Sequence, residues 1–359
     1  MDFSQYGVPS KEWLNFVTRN PTAAQDGFSN NDTLEANQLR ETVNAARESA
    51  SKKLMSQSGL VDKVNILTLS IQSRGGHSIP LRRYSPRDRR ELMQGLVYFH
   101  GGGFLFGSEG TDDYLCATMS ETLGVVVLSV IYRHTPDSSH PAQHEDARDA
   151  LEYIKANAST LGIDVAAGVG VLGISAGGGL AATAILRDLE SSEEKGDRHF
   201  IKGVVLAIPW LIHVENYPFE LFIEPQKSAH IQCRDAPVIP WARLKMFSDL
   251  LDADSSDPLL NVALTPNESL REFPRTAILV AGMDPLRDDG LLFATKLKAK
   301  GVPTSVSVFP GLPHGFRRWA DLPATKVFDS RILESIRWAL GLESCLVDNF
   351  EDWYEYKEE

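Results

Sequence analysis

Apolar residues along this 359-residue chain fall into two alternating rhythms. Short apolar-rich runs at residues 96–99, 125–131, 169–172, 204–208, 276–281 and 304–309 read as strands, and the nearly unbroken run at 125–131 as a central one covered on both faces. Between them apolar residues recur every three or four positions, the period of a helix with one buried face. Leu115, Met119 and Leu123 make one such stripe, closed by Gly124. Ala147, Ala150, Leu151, Ile154 and Leu161 make the next, closed by Gly162. Helices are likewise expected over 288–300, stopped by Gly301, and up to Gly341. Strand–helix alternation of this kind builds a mostly parallel sheet flanked by helices. Ahead of it, residues 64–69 and 78–84 flank Gly75-Gly76 and predict an antiparallel pair.

Two stretches break the alternation. Residues 1–60 carry little strand signal. A short helix is expected over 10–18, with Trp13, Leu14 and Val17 on one side. A longer one starts at a capping box, Asp32-Thr33-Leu34-Glu35, and carries Leu39, Val43, Ala46, Ala50 and Leu54 at helical spacing before Gly59. Such an amphipathic helix must lie on something, either as part of a lid or as a homodimer contact. Residues 211–257 interrupt the sheet a second time, with Trp241, Leu244, Phe247, Leu250 and Leu251 at helical spacing after several prolines. The expected organisation is a helical segment at 1–60, an α/β body of 61–210 and 258–345, an insertion at 211–257, and an acidic tail at 346–359. Disorder is the default for that tail, although Phe350, Trp353, Tyr354 and Tyr356 could dock on the body. Residues 189–199 read as a polar loop, and Arg82, Arg83, Arg87, Arg89 and Arg90 as a solvated one.

Charge and composition narrow the function. A formal net charge of −12 argues against nucleic acid or an anionic membrane as partner. No apolar run approaches the ~20 residues that span a bilayer, and no basic-then-apolar leader opens the sequence. Cys116, Cys233 and Cys345 are odd in number and far apart, so neither a disulfide framework nor a metal-binding spacing is present, and a cytoplasmic location is expected. His134, His140 and His144 are not joined to carboxylates at ligand spacing, so no metal site is expected.

The chemistry gathers around Gly173-Ile174-Ser175-Ala176-Gly177-Gly178. The stretch comes after a strand and precedes a run rich in small residues that reads as a helix. Strand, Gly-x-Ser-x-Gly turn and helix together make a nucleophile elbow, in which the serine hydroxyl is pushed out above the sheet edge. Acyl transfer by serine also needs a base, an acid to orient it, and donors for the developing oxyanion. Asp284 comes directly after one strand and His314 lies beyond the next, giving the chain order Ser, Asp, His. Loops at the carboxyl ends of parallel strands converge on one crevice, so Ser175, Asp284 and His314 are expected to meet. Asp288 and Asp289 remain alternative carboxylates. His100-Gly101-Gly102-Gly103 after the strand at 96–99 offers backbone N–H groups to a carbonyl oxygen, and Ala176 should add another. His100 is read as a loop-fixing residue rather than a titrating one.

These motifs, with Phe104, Tyr132-Arg133, Asp284-Pro285-Leu286-Arg287-Asp288 and His314-Gly315-Phe316, resemble the hormone-sensitive-lipase-like family of α/β-hydrolase carboxylesterases. The likeness runs from about Val64 to Leu340. It implies an α/β-hydrolase fold with a mostly parallel, eight-stranded sheet and a helical cap built from the first helices and the segment after Trp210. It further implies Gly102, Gly103 and Ala176 as oxyanion donors, and hydrolysis of short- to medium-chain esters without metal or cofactor. Phe104, Trp210 and Leu211 are expected to wall the pocket for a small-molecule ester, aliphatic or small and aromatic. The chain departs from the family pattern at Ile174, where the family carries Asp, and at His134-Thr135, where it carries Leu-Ala. These departures leave a dedicated deacetylase, lactonase or cyclase as the alternative activity. A receptor on the same scaffold is a third reading, disfavoured because all three triad residues are present.

Overall fold

The computed structural model describes residues 1–24, 35–89, 91–195, 200–347 and 351–356. The first helix, α1 (Lys11–Arg19), starts where the Ser10 hydroxyl caps the Trp13 N–H, and buries Trp13 and Phe16. Leu14, expected on that face, is exposed instead. Helix α2 (Ala36–Gln57) buries Leu39, Ser51 and Met55, while Leu54 stays exposed. The capping box expected at Asp32 lies outside the described residues. Helix α2 lies on its own chain: Asn44 bonds Gly107 in both directions and Ser51 accepts from the Tyr114 N–H.

Strands β1 (Val64–Gln72) and β2 (Ser78–Pro86) form the expected antiparallel pair. Next come β3 (Gly95–Phe99), α3 (Asp113–Leu123), β4 (Val126–Val130), α4 (Ala142–Ala156), β5 (Val169–Ile174), α5 (Ala176–Lys195) and β6 (Ile201–Ala207). A stretch without strands carries the four-residue α6 (Ala229–Gln232) and α7 (Trp241–Leu250). Alternation then resumes with β7 (Arg275–Met283), α8 (Arg287–Ala299), β8 (Thr304–Pro313) and α9 (Pro323–Ala339), and β9 (Glu351–Trp353) comes last. The strand order is β1-β2-β4-β3-β5-β6-β7-β8-β9, parallel from β4 onward. Strands β3 and β4 are buried at every position, as their unbroken apolar sequence requires of strands sandwiched between helices.

Three expectations need correction. Among the described residues the sheet has nine strands, not eight, because the tail supplies β9 along β8, and Tyr354 stacks on Phe309 at 5.6 Å. Helix α5 runs to Lys195, through most of the stretch read as a loop. Arg82 and Arg83 belong to β2 rather than to a solvated loop. Arg82 makes a two-pronged pair with Asp113, both contacts at 2.8 Å, and Arg83 donates to the Leu161 carbonyl. Arg90 lies outside the described residues. Among the described residues no helix is long and apolar enough to cross a membrane.

Candidate active site

Ser175 joins β5 to α5 with φ at +54°, a left-handed backbone that a non-glycine residue rarely adopts. The turn closes only because its neighbours lack side chains. A Cβ on Gly173 would stand 2.3 Å from the Gly177 carbonyl oxygen, and one on Gly177 would stand 2.1 Å from that of Phe99. Both obstacles are backbone and cannot rotate away. Gly177→Ala should therefore force β3 and α5 apart, at a cost of about 1–3 kcal/mol for overpacking. A lowered urea midpoint together with reduced ester turnover is the expected outcome.

The hydroxyl of Ser175 is 3.0 Å from His314 Nε2, and His314 Nδ1 is 2.7 Å from Asp284 Oδ2. Asp284 and His314 stand directly after the last residues of β7 and β8, so two adjacent parallel strands deliver them side by side. The other Asp284 oxygen accepts the Leu286 N–H at 2.8 Å, which fixes the carboxylate before α8 begins. Exposure rises outward along the relay, from 0% at Asp284 to 6% at His314 and 8% at Ser175, so the reactive end faces the crevice.

The two rival carboxylates are committed elsewhere. Asp288 Oδ1 pairs with Arg287 Nε at 2.7 Å, and its Oδ2 accepts from the Tyr217 hydroxyl and the Ala229 N–H. Asp289 Oδ2 accepts the N–H groups of Leu211 and Ile212 at 2.8 and 3.0 Å. Burial pushes the Asp289 carboxyl well above the usual carboxylate range, against the pull of those two donors.

The glycine loop lies against the elbow: a Cβ on Gly101 would meet the Ile174 carbonyl oxygen at 2.9 Å and Ser175 Cβ at 3.3 Å. Gly102 (φ +142°) and Gly103 (φ +61°) adopt backbone open to glycine. The Gly102 carbonyl accepts from Leu105 and Phe106, which folds the loop back on itself. Ala176 is the first residue of α5, where N–H groups have no acceptor within the helix. His100 stacks on Tyr132 at 4.3 Å, and the Tyr132 hydroxyl donates to the His100 carbonyl at 2.8 Å. Burial lowers the His100 imidazole pKa, in keeping with a neutral, loop-fixing role.

Phe104, Trp210 and Leu211 line one small hollow together. The Phe104 and Trp210 rings lie 5.5 Å apart, and the Trp210 backbone N–H donates to the Ser175 carbonyl at 3.0 Å. Two features of the 211–257 stretch escaped the sequence reading. Phe247 of α7 lies so close over Gly103 that a Cβ there would be 2.4 Å from its ring. Val238, β-branched yet at φ +77°, stands beside Gly315. Among the described residues Phe104, Ser175 and Val238, all non-glycine residues with positive φ, lie at this crevice. Backbone strain of that kind concentrates at functional sites. His134 is separated from the other histidines of its motif: it lies with His100 and Tyr132, whereas His140 and His144 form a pair 5.0 Å apart. Among the described residues no group of His, Cys, Asp and Glu could hold a metal.

Known proteins share this fold. A family model described as an alpha/beta hydrolase fold matches residues 96–318. The versiconal hemiacetal acetate esterase of Dothistroma septosporum is 34% identical over 263 residues, which is 73% of this chain and 78% of that protein. The ethyl acetate hydrolase of Pseudomonas putida is 33% identical over 265 residues, covering 72% and 77%. Among solved structures, vibralactone cyclase superposes with a TM-score of 0.82 at 25% identity, over 94% of this chain and 96% of that one. A bacterial heroin esterase shares the fold with a TM-score of 0.76 at 24% identity, over 93% and 99%.

Proposed function

The chain belongs to the hormone-sensitive-lipase-like carboxylesterases of the α/β-hydrolase family, and on that footing we propose that it hydrolyses esters through an acyl-enzyme on Ser175. The observation that carries the assignment is the unbroken relay from the Ser175 hydroxyl through His314 to buried Asp284. His314 Nε2 takes the proton as Ser175 Oγ attacks the ester carbonyl, and the imidazolium is held by Asp284 at Nδ1. The oxyanion forms against the N–H groups of Gly102, Gly103 and Ala176. As the tetrahedral species collapses, the ester C–O bond breaks and His314 returns its proton to the departing alcohol. A water then repeats the sequence on the acyl-enzyme, releasing the acid and restoring Ser175.

Substrate range is set by the pocket. Trp210 bonds the Ser175 carbonyl through its N–H, Phe104 packs on the Trp210 ring, and α7 closes on Gly103 through Phe247, so we read residues 211–257 as the cap. A closely covered site suits short acyl groups, aliphatic or small and aromatic. Two of the relatives are named for acetate esters, which accords with this reading. We place the enzyme in the cytoplasm, where the buried thiols Cys116 and Cys233 would stay reduced.

A fluorophosphonate probe should label one peptide, that containing Ser175, and abolish turnover of p-nitrophenyl acetate and butyrate. Folded protein that neither takes the label nor turns over these esters would overturn the proposal. Full labelling with near silence on both esters would instead favour a dedicated substrate of the kind a cyclase or lactonase handles.

A further inference from the structure

Strands β7 and β8 fall out of step just before the triad. Their pairing passes from Ala281 opposite Phe309 to Met283 opposite Pro313, so β8 spends more residues on this interval than β7 does. Asp284 and His314 come directly after it, and the offset decides where along each strand the carboxylate and the imidazole are released. A bulge of this kind re-aims side chains and leaves ladder groups without a partner across the gap. Gly282 and Gly311 sit within it on facing strands.

Backbone from the start of the sequence fills that gap. Residues 4–10 run from a 3-10 turn (Ser4–Gly7) to the beginning of α1. A Cβ on Gly282 would meet the Tyr6 carbonyl oxygen first, at 2.1 Å. One on Gly311, at φ +66°, would stand 2.2 Å from the Ser10 nitrogen and 2.3 Å from the Val8 carbonyl oxygen. The Ser10 N–H donates to the Gly311 carbonyl at 3.2 Å. The outer edge of the segment is tied down as well: Gln232 Nε2 donates to the Ser4 carbonyl at 2.9 Å, and Lys227 pairs with Asp2 at 2.8 Å. Farther on, Trp13 and Phe16 of α1 pack on Trp319 at 5.2 and 5.8 Å, so the chain is held both before and after His314.

Resting on the Ser175 esterase reading, we propose that residues 6–10 form a positioning strap for the triad, acting through Gly282 and Gly311. These glycines bring no side chain to the reaction; their part is to admit the strap. With its backbone wedged at both, the β7–β8 offset is fixed, and the 2.7 Å bond between His314 Nδ1 and Asp284 Oδ2 follows from it. Displacing catalytic groups by about 1 Å costs on the order of 10²-fold in rate.

The test uses glycine-to-alanine variants of the full chain, read by kcat and KM on p-nitrophenyl butyrate, by the rate of fluorophosphonate labelling and by urea midpoint. Gly282→Ala and Gly311→Ala should each lower kcat and the labelling rate by about 10- to 100-fold, with KM within about twofold of the parent. Gly7→Ala displaces the strap from its other side, since a Cβ there meets the side chains of Gln232 and Arg287 at 2.4 and 2.6 Å. It should slow labelling by about threefold or more, and it carries the test if the other two fail to fold. Two controls bear the same backbone costs away from the strap. Gly341 is left-handed like Gly311, at φ +71°, but has nothing within 4 Å of its Cβ position, and a Cβ on Gly203 in β6 would stand 2.4 Å from the Ala339 carbonyl oxygen. Gly341→Ala and Gly203→Ala should lower the urea midpoint yet keep kcat and labelling within about twofold of the parent. Parental kcat and labelling in the folded strap variants, or controls that lose activity as steeply as they do, would overturn the proposal. Ester turnover surviving in Ser175→Ala defeats the nucleophile assignment, whereas a silent Ser175→Ala beside unmoved strap variants defeats the strap alone.

Discussion

Ser175→Ala is expected to lower kcat on p-nitrophenyl butyrate by about 10⁴-fold or more, the scale seen when the nucleophile is removed from such a relay. The residue reacts through one oxygen, and that oxygen's bond is to His314 Nε2 at 3.0 Å. Its removal leaves the oxyanion glycines and the pocket in place, so substrate still binds while the covalent route is closed. Folding should barely change. Alanine tolerates φ +54° no better and no worse than serine, and among the described residues the hydroxyl bonds His314 alone. The thermal midpoint of the variant should match that of the parent, which separates a lost nucleophile from a lost fold. A residual rate within tenfold of the parent would show that acyl transfer does not pass through Ser175.

That relay was legible in the sequence because each member comes after a recognisable buried strand. Runs such as Val126–Val130 admit one environment only, the middle of a sheet covered on both faces, and the chain must leave them as a loop at the sheet's upper edge. Glycines were informative at Gly173 and Gly177 for a related reason: backbone stands where a Cβ would go. The carboxylate needed geometry. Asp284, Asp288 and Asp289 share one acidic stretch, and only the folded chain shows that the last two serve Arg287, Tyr217, Ala229 and the Leu211-Ile212 backbone. Contacts between distant segments left no periodic trace. Strand β9 is three residues, two of them acidic, and owes its form to the free edge of β8 rather than to any pattern of its own. The pairing of Arg82 with Asp113, the seating of Phe247 over Gly103 and the placing of His144 beside Trp210 are likewise products of packing. A basic cluster, an aromatic at helical spacing and one of three neighbouring histidines each looked ordinary in one dimension.

Asp288→Ala should be among the most destabilising single changes in the protein, by about 3–5 kcal/mol, the cost of removing one partner from a buried ion pair. Arg287 is 0% exposed and Asp288 1%, so the stranded guanidinium would have no water to turn to. Its other partners, Gln232 Oε1 at 2.6 Å and the carbonyls of Lys227 and Gly282 at 3.1 and 3.5 Å, are neutral. The same substitution orphans the Tyr217 hydroxyl and the Ala229 N–H, both of which point at Asp288 Oδ2 from 2.6 Å. Tyr217, Lys227, Ala229 and Gln232 belong to one segment, so the pair fastens that segment to the start of α8, three residues beyond Asp284. Urea unfolding should show the loss directly, and esterase activity should fail at a lower temperature than in the parent. Replacing both partners, as Arg287→Met with Asp288→Leu, removes the stranded charge and should cost less than Asp288→Ala alone, although Tyr217 and Ala229 keep it from being neutral. A double variant as unstable as the single one would mean that the Tyr217 and Ala229 hydrogen bonds, and not the ion pair, hold this segment to the sheet.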